Sequence, residues 1–261
     1  MIKKKFYLCM HLFFKKIAMY SLFIKEIKSF LSSLVGYIVI GVFLILTGLF
    51  LWVFPFSDNI IERGFADING LFNFAPIVFL LLIPAITMRS FAEETKSGTI
   101  ELLLTYPISD FQIIMAKYLA GIVLLIISLL PTLIYFFTVY TLGYPTGNID
   151  QGAMWGSYMG LLFLGAAFAA IGIFVSIMTD NQIISFLFSV LICFIAWRGF
   201  DFIYSFDIFG SFGYIIKTLG ISHHYDSISR GVVDTRDIIY FLSVIVLFLY
   251  LAALRLKSRN W

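Results

Sequence analysis

Between two long apolar stretches the chain carries RSFAEETKSGTIELLLTYPISD, residues 89–110, with Arg89, Glu93, Glu94, Lys96 and Glu101 inside 13 residues. Carboxylates interleaved with cations at this density do not suit a lipid environment. They suit an ionic docking surface for a soluble partner. Gly98 supplies a bend, Leu102, Leu103 and Leu104 an apolar cluster, and Pro107 an extended stop. The pattern predicts two short helical pieces, Phe91–Lys96 and Ile100–Leu104, hinged at Gly98, with charges on one side facing the partner. Ser109 and Gln112 have the S-x-x-Q spacing of a capping box, which would start the next helix. A solvated loop without a partner is the plainer reading of the same residues.

Other candidate chemistry fails on spacing. His223 and His224 are adjacent and so point to different helix faces, unlike metal ligands four residues apart. They read as polar residues of a loop. Cys9 and Cys193 have no ligand-spaced neighbours and read as packing residues. No G-x-x-x-x-G-K-[ST] phosphate loop occurs, so the chain cannot by itself be a P-loop ATPase. No nucleophile or zinc motif is present, which predicts no catalytic and no metal residues.

The elements that must hold the charged stretch are membrane spans. Of the 261 residues 61% are hydrophobic and 13% charged, against about 25% charged in soluble domains. About 20 apolar residues cross the hydrocarbon core, and six segments qualify or nearly so. They are Leu34–Phe54, Leu71–Met88, Ile113–Leu142, Ala153–Met178, Gln182–Trp197 (extending toward Tyr204) and Ile238–Leu254. The third exceeds what the core requires and is expected to project into the cytoplasm.

With the N-terminus inside, the cytoplasmic side would hold Lys3, Lys4, Lys5, Lys15, Lys16, Lys25, Lys28, Arg89, Lys96, Lys117, Arg255, Lys257 and Arg259. The other side would hold Arg63, Arg198, Lys217, Arg230 and Arg236. A balance of 13 to 5 predicts both termini and residues 89–110 in the cytoplasm. Residues 1–14 open like a signal peptide but lack a small-residue cleavage site, so they read as uncleaved. Phe23, Ile24, Ile27, Phe30, Leu31 and Leu34 recur at helical spacing, with Lys25, Glu26, Lys28 and three serines opposite. This predicts an interfacial helix ahead of the first span.

Within the fourth span Gly152, Gly156 and Gly160 fall four residues apart, followed by a run of Gly and Ala from Gly165 to Gly172. Small residues let helix backbones approach closely in lipid. That helix should be central, packed within the chain or against a second subunit. The interiors of the second, fourth and fifth spans hold no Asp, Glu, Lys, Arg or His, unlike ion-coupled carriers. Any energy for transport would come from outside the spans. Nothing points to nucleic acid, since basic residues and stacking aromatics do not interleave on a solvated patch.

FAEETKSGTIELLLTYPIS resembles the E-E-x-x-x-G-T-x-E-x-L-L-x-x-P-I signature of type-2 ABC transporter permeases. The matching positions are Glu93, Glu94, Gly98, Thr99, Glu101, Leu102, Leu103, Pro107 and Ile108. KEIKSFLSSLVGYIVIGVFLILTGLFLWVF near the start and ISRGVVDTRDIIYF before the last span are similar to the gliding-motility-associated permease subunits of that family. The resemblance runs from about Met19 onward. Residues 1–18 depart from the pattern, so Met19 is an alternative start.

The resemblance implies an all-α fold in one ABC-2 type transmembrane domain over 1–261. Its parts would be a basic N-terminal segment with an interfacial helix (1–33), a cytoplasmic coupling loop (89–110) and an outer loop (198–237). It implies a bacterial inner-membrane permease of an ATP-driven export complex that binds no cofactor itself. ATP and Mg would sit on a separate ABC ATPase subunit, alongside a second membrane subunit or a homodimer, with membrane lipid around. Glu93, Glu94, Gly98, Thr99, Glu101 and Pro107 would contact the ATPase or shape the loop. In the outer loop, Phe200, Phe202, Ile203, Phe206, Ile208 and Phe209 suggest short re-entrant or interfacial helices. There Arg198 and Asp201, three residues apart, could pair near the exit. A non-transporting membrane scaffold driven by an external ATPase fits the same residues.

Overall fold

The computed structural model describes residues 18–105, 108–206 and 213–258. Pro107, residues 1–17, Ile208, Phe209 and Arg259, all invoked above, lie outside them. The described residues are helical and contain no strand. Six helices are long and apolar enough to cross a membrane.

Helix α1 covers residues 18–31. Leu22 and Phe30 are buried, and Phe23, Ile27 and Leu31 pack against the core beside them. The chain then turns at Ser33, whose hydroxyl accepts the Gly36 N–H at 3.2 Å and caps α2 (Leu34–Trp52). A short α3 (Ile60–Arg63) precedes α4 (Asn69–Thr87).

Helix α4 does not end where the charges begin. It breaks only at Met88 and continues as α5 (Arg89–Lys96), giving 28 helical residues from Asn69. The first part of the expected loop is therefore an extension of the second span. Gly98, at φ 71°, makes the turn into α6 (Thr99–Thr105); only glycine takes this left-handed geometry without strain.

The third span runs through α7 (Asp110–Leu129), a 3-10 turn at Leu130–Thr132 and α8 (Leu133–Leu142). Gln112 Oε1 accepts the Ser109 N–H at 3.1 Å at its start. Pro131, within the 3-10 turn, removes a helix hydrogen bond and interrupts what hydropathy presents as one run.

Helix α9 (Gln151–Met178) forms the axis of the bundle and packs against α4, α7, α10 (Gln182–Phe194) and α14 (Thr235–Lys257). Its apolar window is 72% buried, against 22% for α2. Beyond α10 a π-helical turn, Ile195–Gly199, leads into α11 (Phe200–Ser205). Then follow α12 (Gly213–Thr218) and α13 (Ile221–Ile228), so the described part of the expected outer loop is a set of short helices.

Pro76 illustrates how the bundle repairs its own defects. It has no N–H to offer the Phe72 carbonyl one turn earlier. The Tyr225 hydroxyl donates to that carbonyl at 2.7 Å, from a buried position on α13. A freed carbonyl in an apolar bundle costs several kcal/mol unless another donor reaches it.

Candidate functional site

At one end of the bundle α1, α5, α6 and the first turns of α7 converge around Lys117. Its side chain is 1% exposed, on a helix otherwise almost wholly apolar. An isolated buried ammonium would be very costly, and three groups answer it. Lys117 Nζ lies 2.8 Å from Glu26 Oε1 on α1 and 2.9 Å from Glu94 Oε2 on α5. It also donates to the Ser90 carbonyl at 2.6 Å. The Phe91 ring lies 5.0 Å from the same ammonium.

Glu94 in turn accepts from Lys25 at 2.9 Å, so α1 contributes both a cation and a carboxylate. Burial opposes the charge on Lys25, but its bond to Glu94 and the nearby Glu26 and Glu93 carboxylates outweigh it. The Lys25 ammonium accordingly titrates above its usual range. Arg89 Nη1, 3.4 Å from the Ser33 hydroxyl, adds a weaker tie between α5 and the α1–α2 turn.

Ser176 on α9 secures the other side of α5. Its hydroxyl oxygen accepts the N–H groups of Phe91 at 3.0 Å and Ala92 at 3.1 Å, and donates to the Met88 carbonyl at 3.2 Å. These are the donors left open where α4 breaks into α5. One turn earlier on α9, Gly172 has no room for a side chain because Thr87 fills the space. The junction is thus seated on two small residues of the axial helix.

The charged residues of the signature therefore divide. Glu94 faces inward, 12% exposed, and holds Lys25 and Lys117. Glu93, Lys96, Gly98, Thr99 and Glu101 are exposed along the outer edge of α5 and α6, next to exposed Leu102. The expectation of a helix pair with all its charges outward thus differs at Glu94, because Lys117 needs a counter-charge. Sequence reasoning passed over Lys117 and Glu26 as components of this end. The available signal was a lone lysine in the first third of a long apolar run.

At the opposite end, Gly156 meets the backbone of Gly231, and a methyl there would come within 2.6 Å of the Gly231 carbonyl oxygen. A methyl on Gly160 would come within 2.7 Å of Ile228 Cγ2. Both glycines receive the α13–α14 connection of the same chain. Gly152 is exposed and has only Asp150, its own helix cap, nearby. Ser157 donates to the Ser229 carbonyl at 2.8 Å and locks the same contact.

Arg198 and Asp201 approach to 3.4 Å, and Asp201 also accepts from Ser222 at 2.6 Å. His224 is half-buried rather than solvated. Its ring stacks on Tyr240 and places Nδ1 2.7 Å from Asp237, at the start of α14. Among the described residues no group of three or more His, Cys, Asp or Glu side chains could hold a metal ion.

Six apolar helices, five of them gathered around the buried axial helix α9, define a multi-pass membrane protein. Residues 20–261 match the family described as ABC-2 family transporter protein, and the chain belongs to that family, the membrane permease components of ABC transporters. No curated protein matches the chain.

Proposed function

We propose that this permease couples ATP hydrolysis on a separate ABC ATPase subunit to movement of its spans, with α5 and α6 as the receiving surface. The observation that carries this reading is the exposed edge Glu93–Lys96–Thr99–Glu101, mounted on a helix pair whose inner side is fixed by Lys117, Glu26 and Glu94. A surface that must transmit force needs such a rigid backing. The 13 to 5 distribution of Lys and Arg supports a cytoplasmic position for this end, and with it cytoplasmic termini and an inner-membrane location.

In this reading Gly98 shapes the bend between the two contact helices. Gly156 and Gly160 serve packing within the subunit, and Arg198 with Asp201 lies near the outer exit. A second copy or a second membrane subunit completes the complex, and the gliding-type resemblance of the flanking segments supports a role in a gliding machinery.

The test is copurification with the cognate ATPase in mild detergent, comparing wild type with a Glu93→Arg, Glu101→Arg double variant. Both positions are exposed, so the variant should fold with an unchanged melting temperature and lose at least tenfold in ATPase recovery. Equal recovery from a folded variant would place the contact elsewhere.

A further inference from the structure

Helix α4 contains two internal prolines, and the bundle treats them differently. The carbonyl that Pro76 leaves open on Phe72 is met by the Tyr225 hydroxyl at 2.7 Å. Pro84 likewise has no N–H for the Leu80 carbonyl one turn earlier. Thr87, the only hydroxyl of α4, donates to the Ile83 carbonyl at 3.0 Å instead. Among the described residues no side chain donates to the Leu80 carbonyl. Leu80 is buried roughly 17 Å from the start of α4. At that depth neither water nor lipid supplies a donor.

An unused donor lies close by. Leu80 lines a cavity of about 560 Å³ between α4 and the α10–α11 segment, and so does Trp197 of the π-turn. Trp197 is 5% exposed, and among the described residues its indole N–H has no acceptor. A buried tryptophan ordinarily finds one. Arg198 lies over the Trp197 ring at 4.6 Å, a contact with the face of the ring that leaves its N–H edge unused. One cavity thus separates an acceptor without a donor from a donor without an acceptor.

The surroundings supply the means to join them. The cavity's other apolar walls, Ile77, Phe194 and Phe202, are exposed side chains, so packing does not wedge the two helices apart. Helix α4 is held at Phe72 by Tyr225 and at Met88 by Ser176. The apolar window of the α10–α11 span is only 22% buried, against 67% for α4 and α5, so α10 is the wall that can move. Its π-turn, Ile195–Gly199, offers a joint: return to α-winding shifts the backbone register there, and such turns recur at functional sites.

We propose that the end of α10 closes on α4 through this cavity, and that Trp197 then donates its indole N–H to the Leu80 carbonyl. The structure shows the open member of this pair of states. Closure repairs the Pro84 defect as Tyr225 repairs that of Pro76, except that the Trp197 bond forms and breaks. It seals the flank between the second and fifth spans. This closure goes beyond the coupling reading and does not depend on it.

The test follows the isotope-labelled indole N–H of Trp197 by NMR in the purified full chain, assigned by its loss in Trp197→Phe. Wild type should show two Trp197 signals, one of them downfield and exchanging with deuterium at least tenfold more slowly. Pro84→Ala supplies an N–H to Leu80 from within α4 and should reduce the slow signal at least fivefold. Pro76→Ala should leave it within twofold, because Tyr225 already serves that carbonyl. A single fast-exchanging signal in wild type, or a slow signal that survives Pro84→Ala, would overturn the proposal. So would equal loss in Pro76→Ala, since straightening of α4 rather than the Leu80 carbonyl would then be the cause.

Discussion

The two ends of this bundle are held by opposite means. Around Lys117, long charged side chains from α1, α5 and α7 meet at 2.8–2.9 Å. Around Gly156 and Gly231, backbones touch directly, leaving no room for a single methyl. An ion cluster fixes the orientation of helices that cannot all pack closely, and its energy depends on every member being present. A glycine contact fixes distance instead, and any added atom defeats it. The first arrangement supports an exposed working surface, while the second closes the turn between α13 and α14.

The largest effect should come from removing the cation. Lys117→Met leaves the half-buried Glu26 and Glu94 with only the more exposed Lys25 between them and should cost about 3–5 kcal/mol, read as a lowered melting temperature in detergent. Adding Glu26→Gln and Glu94→Gln to the same variant should recover most of that loss. No recovery would mean that packing of the lysine stem, rather than charge, holds this end.

Gly156→Val should cost about 1–3 kcal/mol by overpacking. Its local mark should be faster hydrogen exchange in α13 and the start of α14, with α5 unchanged. Exchange that rises equally at both ends would erase the contrast drawn above. Ser176→Ala opens the Phe91 and Ala92 N–H groups and should cost about 1–2 kcal/mol, with exchange rising first at those two amides.

The smallest effect belongs to Lys25. Its folded pKa lies above its unfolded value, so its contribution is complete below the usual lysine range and is lost as pH rises through the raised value. With the side chain more than half exposed, a few tenths of a kcal/mol is expected. A scan from about pH 9 to 12 should loosen α1 in wild type and leave a Lys25→Gln variant flat.

The spans were legible because composition and length suffice to mark them, and the α5–Gly98–α6 bend because glycine punctuates a helical pattern. The partition of the charges was not. Glu93 and Glu94 are neighbours of the same type, yet one is exposed and the other half-buried and turned inward. What separates them is Lys117, 23 residues further on, brought close only by the fold. The repair of Pro76 by Tyr225 and the seating of α5 on Ser176 span 153 and 85 residues of sequence. Neither has a local signature, because the need arises on one helix and the hydroxyl that meets it sits on another. The loose pairing of Arg198 with Asp201 was visible from helical spacing, but its competitor Ser222 was not.

Ser176 pins the rod formed by α4 and α5 at Met88, Phe91 and Ala92, nearer to one end than to the other. By the rise of an α-helix, the arm to Lys96 is about 12 Å and the arm to Asn69 about 28 Å. Turned as one piece about that pin, 1 Å of travel at Lys96 becomes about 2 Å of opposite travel at Asn69, a gain in distance at the expense of force, set by where one hydroxyl grips the rod.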